Sequence, residues 1–253
     1  MKLIFTLTAG RTGTAYLAEL IKWNVKDAEV HHEILTFSSF GVDTPDISHL
    51  HAFNNAGNTP LVQEFWKRKL NKILACGKPV YVETSPMLMK AGLVENMAEL
   101  AHEHEVHFVV LRRNTLKTLE SYNKRGDFTT QANMWMHYLD PEYSRNKVRF
   151  ENLFHIVGQA SLLRLWYLNE IEMRITQYLF NYSDRPFMHF HFADIDDLND
   201  KQNATKLFNG LEVEYANICL PPKQNSYIDA ASAGDKGDGW IKEAIKTLGL
   251  YRS

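Results

Sequence analysis

The chain has 253 residues, 45% of them hydrophobic, and a formal net charge of −2. That is enough to bury a large core in a single domain spanning 1–253, and too little charge of either sign to draw in a nucleic acid or an anionic membrane, so an anion site has to be built locally. The two cysteines, Cys76 and Cys219, lie far apart without metal-ligand spacing, which excludes a disulfide framework, suits a reducing, cytoplasmic setting and reads both as small buried apolar residues.

The first element is a short apolar run, Lys2 to Leu7, too short for a signal peptide and read as a core strand. Gly10-Arg11-Thr12-Gly13-Thr14 follows as a tight loop, and Tyr16, Leu17, Leu20 and Ile21 then recur at helical spacing as far as about residues 23–26. Gly10 and Gly13 let the backbone bend so that N–H groups at the helix start converge on an anion. Arg11 adds a permanent positive charge, and Thr12 and Thr14 add hydroxyl donors. A phosphate or sulfate is the natural ligand. The nucleoside-triphosphate pattern G-x-x-x-x-G-K-[ST] is absent from the whole chain, which disfavours a Mg-ATP kinase.

Residues 28–33 read as a second strand whose polar end, His32 and Glu33, falls at the carboxyl edge where open parallel sheets bind ligands. Residues 35–59, rich in Gly, Asn and Ser, read as a loop. Residues 61–74 have helical periodicity, and their cluster of Lys67, Arg68, Lys69 and Lys72 reads as a solvated face. A third strand over 79–86 ends in Thr84 and Ser85, and a helix over 93–102 follows. Val106 to Arg113 is a near-continuous apolar strand of the type buried on both faces of a parallel sheet. Asn114 caps a helix continued by Leu116, Leu119 and Tyr122.

An irregular aromatic stretch at about 126–150 is the candidate acceptor-recognition insertion. Residues 151–180 form a long helix or helix pair, 187–192 a strand, and 240–248 a last helix. His102-x-His104 and His189-x-His191 have no third ligand at metal spacing and read as structural or solvated. No segment reaches the roughly 18 apolar residues of a membrane span. Alternating strands and helices imply a three-layer α/β/α sandwich around a mainly parallel sheet of roughly five strands, with a P-loop-like first βα turn.

A second anion site is legible after the fourth strand. Arg113 closes that strand and Ser121 follows eight positions later on the helix, so a guanidinium fork and a hydroxyl converge on one phosphate. The run Arg113-Asn114-Thr115 through Ser121 resembles the part of the sulfotransferase family that holds the 3′-phosphate of 3′-phosphoadenosine 5′-phosphosulfate. Arg11-Thr12-Gly13-Thr14 is similar to that family's loop for the 5′-phosphosulfate. Phe192-Ala193-Asp194-Ile195 and Val82-Glu83-Thr84-Ser85-Pro86 are similar to two further family segments, and the resemblance spans Phe5 to about Leu198.

The resemblance implies a donor site made by Gly10, Arg11, Thr12, Gly13, Thr14, Arg113 and Ser121, with adenosine 3′,5′-bisphosphate as product and no metal required. It implies sulfuryl transfer to a hydroxyl, or secondarily an amine, of a small-molecule or carbohydrate acceptor. Arg11 stands where many members carry a proton-donating lysine, so its role becomes electrostatic. Thr115 replaces the family's common proline. Glu33 is similar to the glutamate base of bacterial and carbohydrate-type members, with His32 as the alternative base. Lys236-Gly237-Asp238-Gly239-Trp240 is only weakly similar to the family's Arg-Lys-Gly loop, and Asp235 stands in the place of its arginine. Two other readings remain at this level: a non-catalytic nucleotide-binding protein of the same fold, and a nucleotide-kinase-like phosphotransferase. Oligomeric state is not legible.

Overall fold

The structure, a computed structural model, describes residues 1–128, 139–149 and 159–222. Most of the expected insertion at 126–150, the 236–240 loop and the expected helix at 240–248 lie outside the described residues.

In chain order the elements are β1 (Lys2–Leu7), α1 (Thr14–Asn24), β2 (Ala28–His31), α2 (Ile47–Ala56), α3 (Pro60–Ala75) and β3 (Val80–Glu83). A 3₁₀ turn (Leu88–Ala91) then leads to α4 (Leu93–Leu100), β4 (Glu105–Arg112), α5 (Thr115–Arg125), α6 (Gln159–Tyr182), β5 (Met188–Asp194) and α7 (Lys201–Gly210). The five strands are all parallel and lie in the order β2-β3-β1-β4-β5.

Strand alternation sorts the core into two layers, because successive side chains point to opposite faces. Leu3, Phe5 and Leu7 join Val106, Phe108 and Val110 against α3, α4, α5 and α6. Ile4, Val82, Val109 and Leu111 face the other way onto Tyr16, Leu17, Leu20 and Ile21 of α1 and Leu207 and Phe208 of α7. Helices therefore cover both sheet faces, as expected for an α/β/α sandwich.

The order also fixes where a ligand fits. From β1 the chain moves to one side for β2 and β3, then crosses to the other side for β4 and β5. The helices that follow β1 and β4 lie on opposite faces, which leaves a crevice between the carboxyl ends of these two strands.

Four expectations need correction. The stretch 35–59 is not only loop: Ile47–Ala56 is helical, started by an Asp46–His49 capping box and anchored by Leu50 and Phe53. Its His and Asn residues are weak helix formers, and burial of His49 and Asn54 outweighs that preference. Lys69 does not belong to a solvated face. It is 2% exposed and pairs with the fully buried Glu83 carboxylate at 2.7 Å. Cys76 and Cys219 are both exposed, Cys76 because it sits at the cap of α3 before a solvated Gly-Lys-Pro turn. Helix α7, capped by Asp200, carries only Ala204, Leu207 and Phe208 inward and escaped the periodicity reading. Among the described residues no helix is long and apolar enough to cross a membrane.

The histidines of β4 and β5 are stacked in the sheet. His107 Nδ1 lies 2.9 Å from His191 Nε2, and the His107 and His189 rings are 4.7 Å apart. Burial first, then the neighbouring Lys2, His191 and His189 charges, push the His107 pKa down to about 3. The unfolded chain then binds a proton between the ordinary histidine value and about pH 3 that the folded chain does not, so stability falls as pH drops through that window. Urea melts between pH 7 and 4 are expected to show this loss, and His107→Gln is expected to flatten the slope. An unchanged slope would assign the acid sensitivity elsewhere.

Candidate functional site

The first βα turn has an unusual backbone. Gly10 (φ 86°), Arg11 (φ 59°) and Gly13 (φ 88°) are all left-handed. For arginine that conformation costs about 1 kcal/mol or more, so something must hold it there. Among the described residues none of the backbone N–H groups from Gly10 to Thr14 donates a hydrogen bond within the protein. An array of unspent donors at the start of α1 has the arrangement that could hold an anion.

Side chains pin the turn from below. Thr8 Oγ1 lies 2.5 Å from Thr12 Oγ1 and donates to the Leu111 carbonyl at 2.9 Å, tying the loop to β4. Tyr122 Oη donates to the carbonyls of Ala9 (3.0 Å) and Gly10 (3.1 Å), and Tyr167 Oη donates to Ala9 at 2.8 Å. Lys90 Nζ in turn donates to Tyr167 Oη at 3.0 Å. The carbonyls are thus fixed inward while the N–H groups remain available.

The two expected anion sites meet. Arg113 Nη1 donates to the Arg11 carbonyl at 3.2 Å, and Arg11 Nε donates to Ser121 Oγ at 3.0 Å. Both contacts bridge residues more than 100 positions apart, and they hold Arg11 in its left-handed state. Arg113 Nε is buried with no hydrogen-bond partner among the described residues. A buried guanidinium donor left unused is costly, and an oxyanion beside it would satisfy it. Thr12 and Arg113 share the wall of a cavity of about 200 Å³ with Asn114, Thr115, Thr118 and Asp194.

The candidate bases lie at the same strand edge. His32 Nδ1 is 3.1 Å from Thr84 Oγ1, and that hydroxyl donates to the Thr14 carbonyl at 3.0 Å, so His32 is linked to the start of α1. Glu33 is half-buried and left-handed (φ 43°), in a tight turn closed by Leu35 N–H to the Glu33 carbonyl at 2.8 Å. Lys90 is fully buried, and burial pulls its pKa down to about 7, with the Glu33 charge opposing that fall and Arg174 adding to it. Glu33 therefore acts electrostatically on the lysine that braces the loop.

Lys90 and Tyr167 are functional neighbours that sequence reasoning missed. The available signal was one lysine inside the apolar run Met87-Leu88-Met89-Lys90-Ala91, and nothing local says that it reaches α6. Among the described residues no group of three or more His, Cys, Asp or Glu side chains is arranged to hold a metal ion.

Fold and site together define an α/β protein with a turn of backbone N–H groups, unpaired among the described residues, at the switch point of a parallel sheet. No protein-family model matches the chain, and no curated protein matches it in sequence. Among solved structures the chain is similar to the crystal structure of a sulfotransferase from Alicyclobacillus acidocaldarius, with a TM-score of 0.51 and 13% identity over 98% of this chain and 91% of that one. It also aligns with a sulfotransferase domain from the curacin biosynthetic pathway, with a TM-score of 0.45 and 15% identity over 84% of this chain and 74% of that one. The fold is sulfotransferase-like.

Proposed function

We propose that this protein is a cytoplasmic sulfotransferase that uses 3′-phosphoadenosine 5′-phosphosulfate as donor and a hydroxyl-bearing acceptor. The observation that carries the reading is the junction of the two anion sites, with Arg113 on the Arg11 carbonyl and Arg11 on Ser121. A donor with phosphate groups at both ends of one nucleoside needs two oxyanion sites at a fixed separation, whereas a nucleoside monophosphate needs one.

The residues fit such a donor. The unspent N–H groups from Gly10 to Thr14 would hold the 5′ end, and the orphaned Arg113 Nε together with Ser121 would hold the 3′-phosphate. The bound nucleotide supplies the activated sulfuryl group. Arg11 and the cradle stabilise negative charge on the departing phosphate oxygen, electrostatically and without giving a proton. Glu33 takes the acceptor's hydroxyl proton while the acceptor oxygen forms its bond to sulfur and the sulfur–oxygen bond to phosphate breaks. No metal is needed in this scheme.

Calorimetry with adenosine 3′,5′-bisphosphate, ADP and AMP tests the donor assignment directly. Strong preference for the bisphosphate is expected, and equal weak binding of all three overturns the reading. Arg113→Gln should weaken the bisphosphate by about 10- to 100-fold, the loss of one or two charge-assisted hydrogen bonds, while leaving AMP nearly unchanged. Equal loss for both ligands would mean that Arg113 merely props the loop.

A further inference from the structure

A second charged cavity lies away from the nucleotide crevice. It measures about 140 Å³, and its wall includes Phe53, Glu95, Arg145, Lys147, Arg174 and Tyr178. Arg174 sits seven residues beyond Tyr167 on α6. At 1.5 Å per residue that is roughly 10 Å along α6 from Tyr167, whose hydroxyl supports the turn.

Positive charge in this cavity exceeds its compensation. Arg174 is anchored by Glu170 at 2.6 Å, Asn54 at 2.7 Å and Asn146 at 3.1 Å. Glu170's other oxygen accepts the backbone N–H groups of Lys147 and Val148, which fixes the 145–148 segment over α6. Arg145 stacks on Phe53 with its guanidinium 5.7 Å from the ring centre. Among the described residues neither the Arg145 nor the Lys147 side chain forms an ion pair. Burial, then repulsion from Arg174 and Arg145, lower the Lys147 pKa.

The independent observation is Glu95. Its Oε2 is buried with no hydrogen-bond partner among the described residues, in the wall of a cavity ringed by cations that do not pair with it. Burial raises its pKa to about 7 despite Arg174, Arg145 and Lys147. Burial and then the Glu95 charge raise the pKa of Tyr178 and Tyr182 of α6, and the Tyr178 hydroxyl is already spent on the Met89 carbonyl at 3.2 Å. A protonated Glu95 is a donor, so cationic side chains and a neutral acid converge on one small volume that no described residue fills.

We propose that this cavity is a binding site for a small tetrahedral oxyanion, held by Arg145, Lys147 and Arg174 with a hydrogen bond donated by the Glu95 carboxylic acid. Ligand uptake is then coupled to protonation of Glu95, because an ionised carboxylate would repel the anion.

The test is calorimetric titration of the full chain with sodium sulfate at ionic strength held constant with NaCl, and with sodium acetate in parallel. Since the Gly10–Thr14 cradle also takes anions, the Arg113→Gln variant is titrated alongside. A saturable component with Kd on the order of 1 mM is expected in both chains. It should weaken about tenfold in Lys147→Gln or Arg145→Gln, loss of one charged donor. It should be tighter at pH 6 than at pH 8, and Glu95→Gln should keep binding but lose that pH dependence. With Arg113→Gln as background, a sulfate affinity unchanged by both Lys147→Gln and Arg145→Gln overturns the proposal, as does loss of the component in Arg113→Gln alone. Equal binding of acetate overturns the tetrahedral assignment.

Discussion

Gly13→Ala is expected to destabilise the protein by roughly 2–5 kcal/mol, the sum of left-handed backbone strain and overpacking. Gly13 has φ 88°, and a β-carbon there would fall on the Ile195 side chain, 2.7 Å from Cδ1 and closer still to Cγ1. Ile195 follows β5 directly and its backbone is hydrogen-bonded to Arg112, so it has little room to yield. Gly10→Ala is the matched control. Its φ of 86° imposes similar strain, but its β-carbon would meet only Pro86 carbons at 3.5 Å and beyond. Denaturant melts of the two variants should differ by the overpacking part alone, about 1–3 kcal/mol. Equal midpoints would mean that the first turn does not rest against Ile195. Bisphosphate affinity should fall in Gly13→Ala even where the chain remains folded, because the amide cradle shifts with the loop.

Glu33→Gln should leave the fold and the bisphosphate affinity intact and reduce kcat by about 10²- to 10⁴-fold, the usual contribution of a positioned general base. Glutamine keeps the shape of the half-buried side chain and cannot accept the acceptor's proton. Single-turnover measurement separates this from a binding defect, since loss of a base lowers kcat rather than raising KM. Unchanged turnover in Glu33→Gln with inactivity in His32→Gln would move the base to His32, whose ring is already oriented by Thr84. Inactivity in neither would remove both candidates.

Much of this was legible locally. The strand, glycine turn and helix over residues 2–24 follow from period-two and period-3.6 apolar spacing, and Asn114 caps α5 as its position suggests, accepting from Lys117 N–H. Arg113 and Ser121 share one strand–helix unit, so their pairing as a proposed phosphate site could be suggested from the sequence.

Other features were not legible because their partners are remote in sequence. Lys69 looks like any lysine on a basic helix until β3 places Glu83 beneath it. Lys90 becomes part of the loop's support only through Tyr167, 77 positions away. Cys76 and Cys219 carry a buried-residue preference that their places at a helix cap and in an exposed segment override.

The sequence by itself determined the five strands and most of the helices between them, the glycine-bounded turn after β1 and the placing of Arg113 and Ser121 eight positions apart, because each depends on neighbours within a few residues. Only the tertiary structure decided that Arg113 touches the Arg11 carbonyl, that Arg11 reaches Ser121, and that Glu95 faces a ring of cations. Those contacts arise from strand order and helix packing, which bring together residues that local propensity treats as independent.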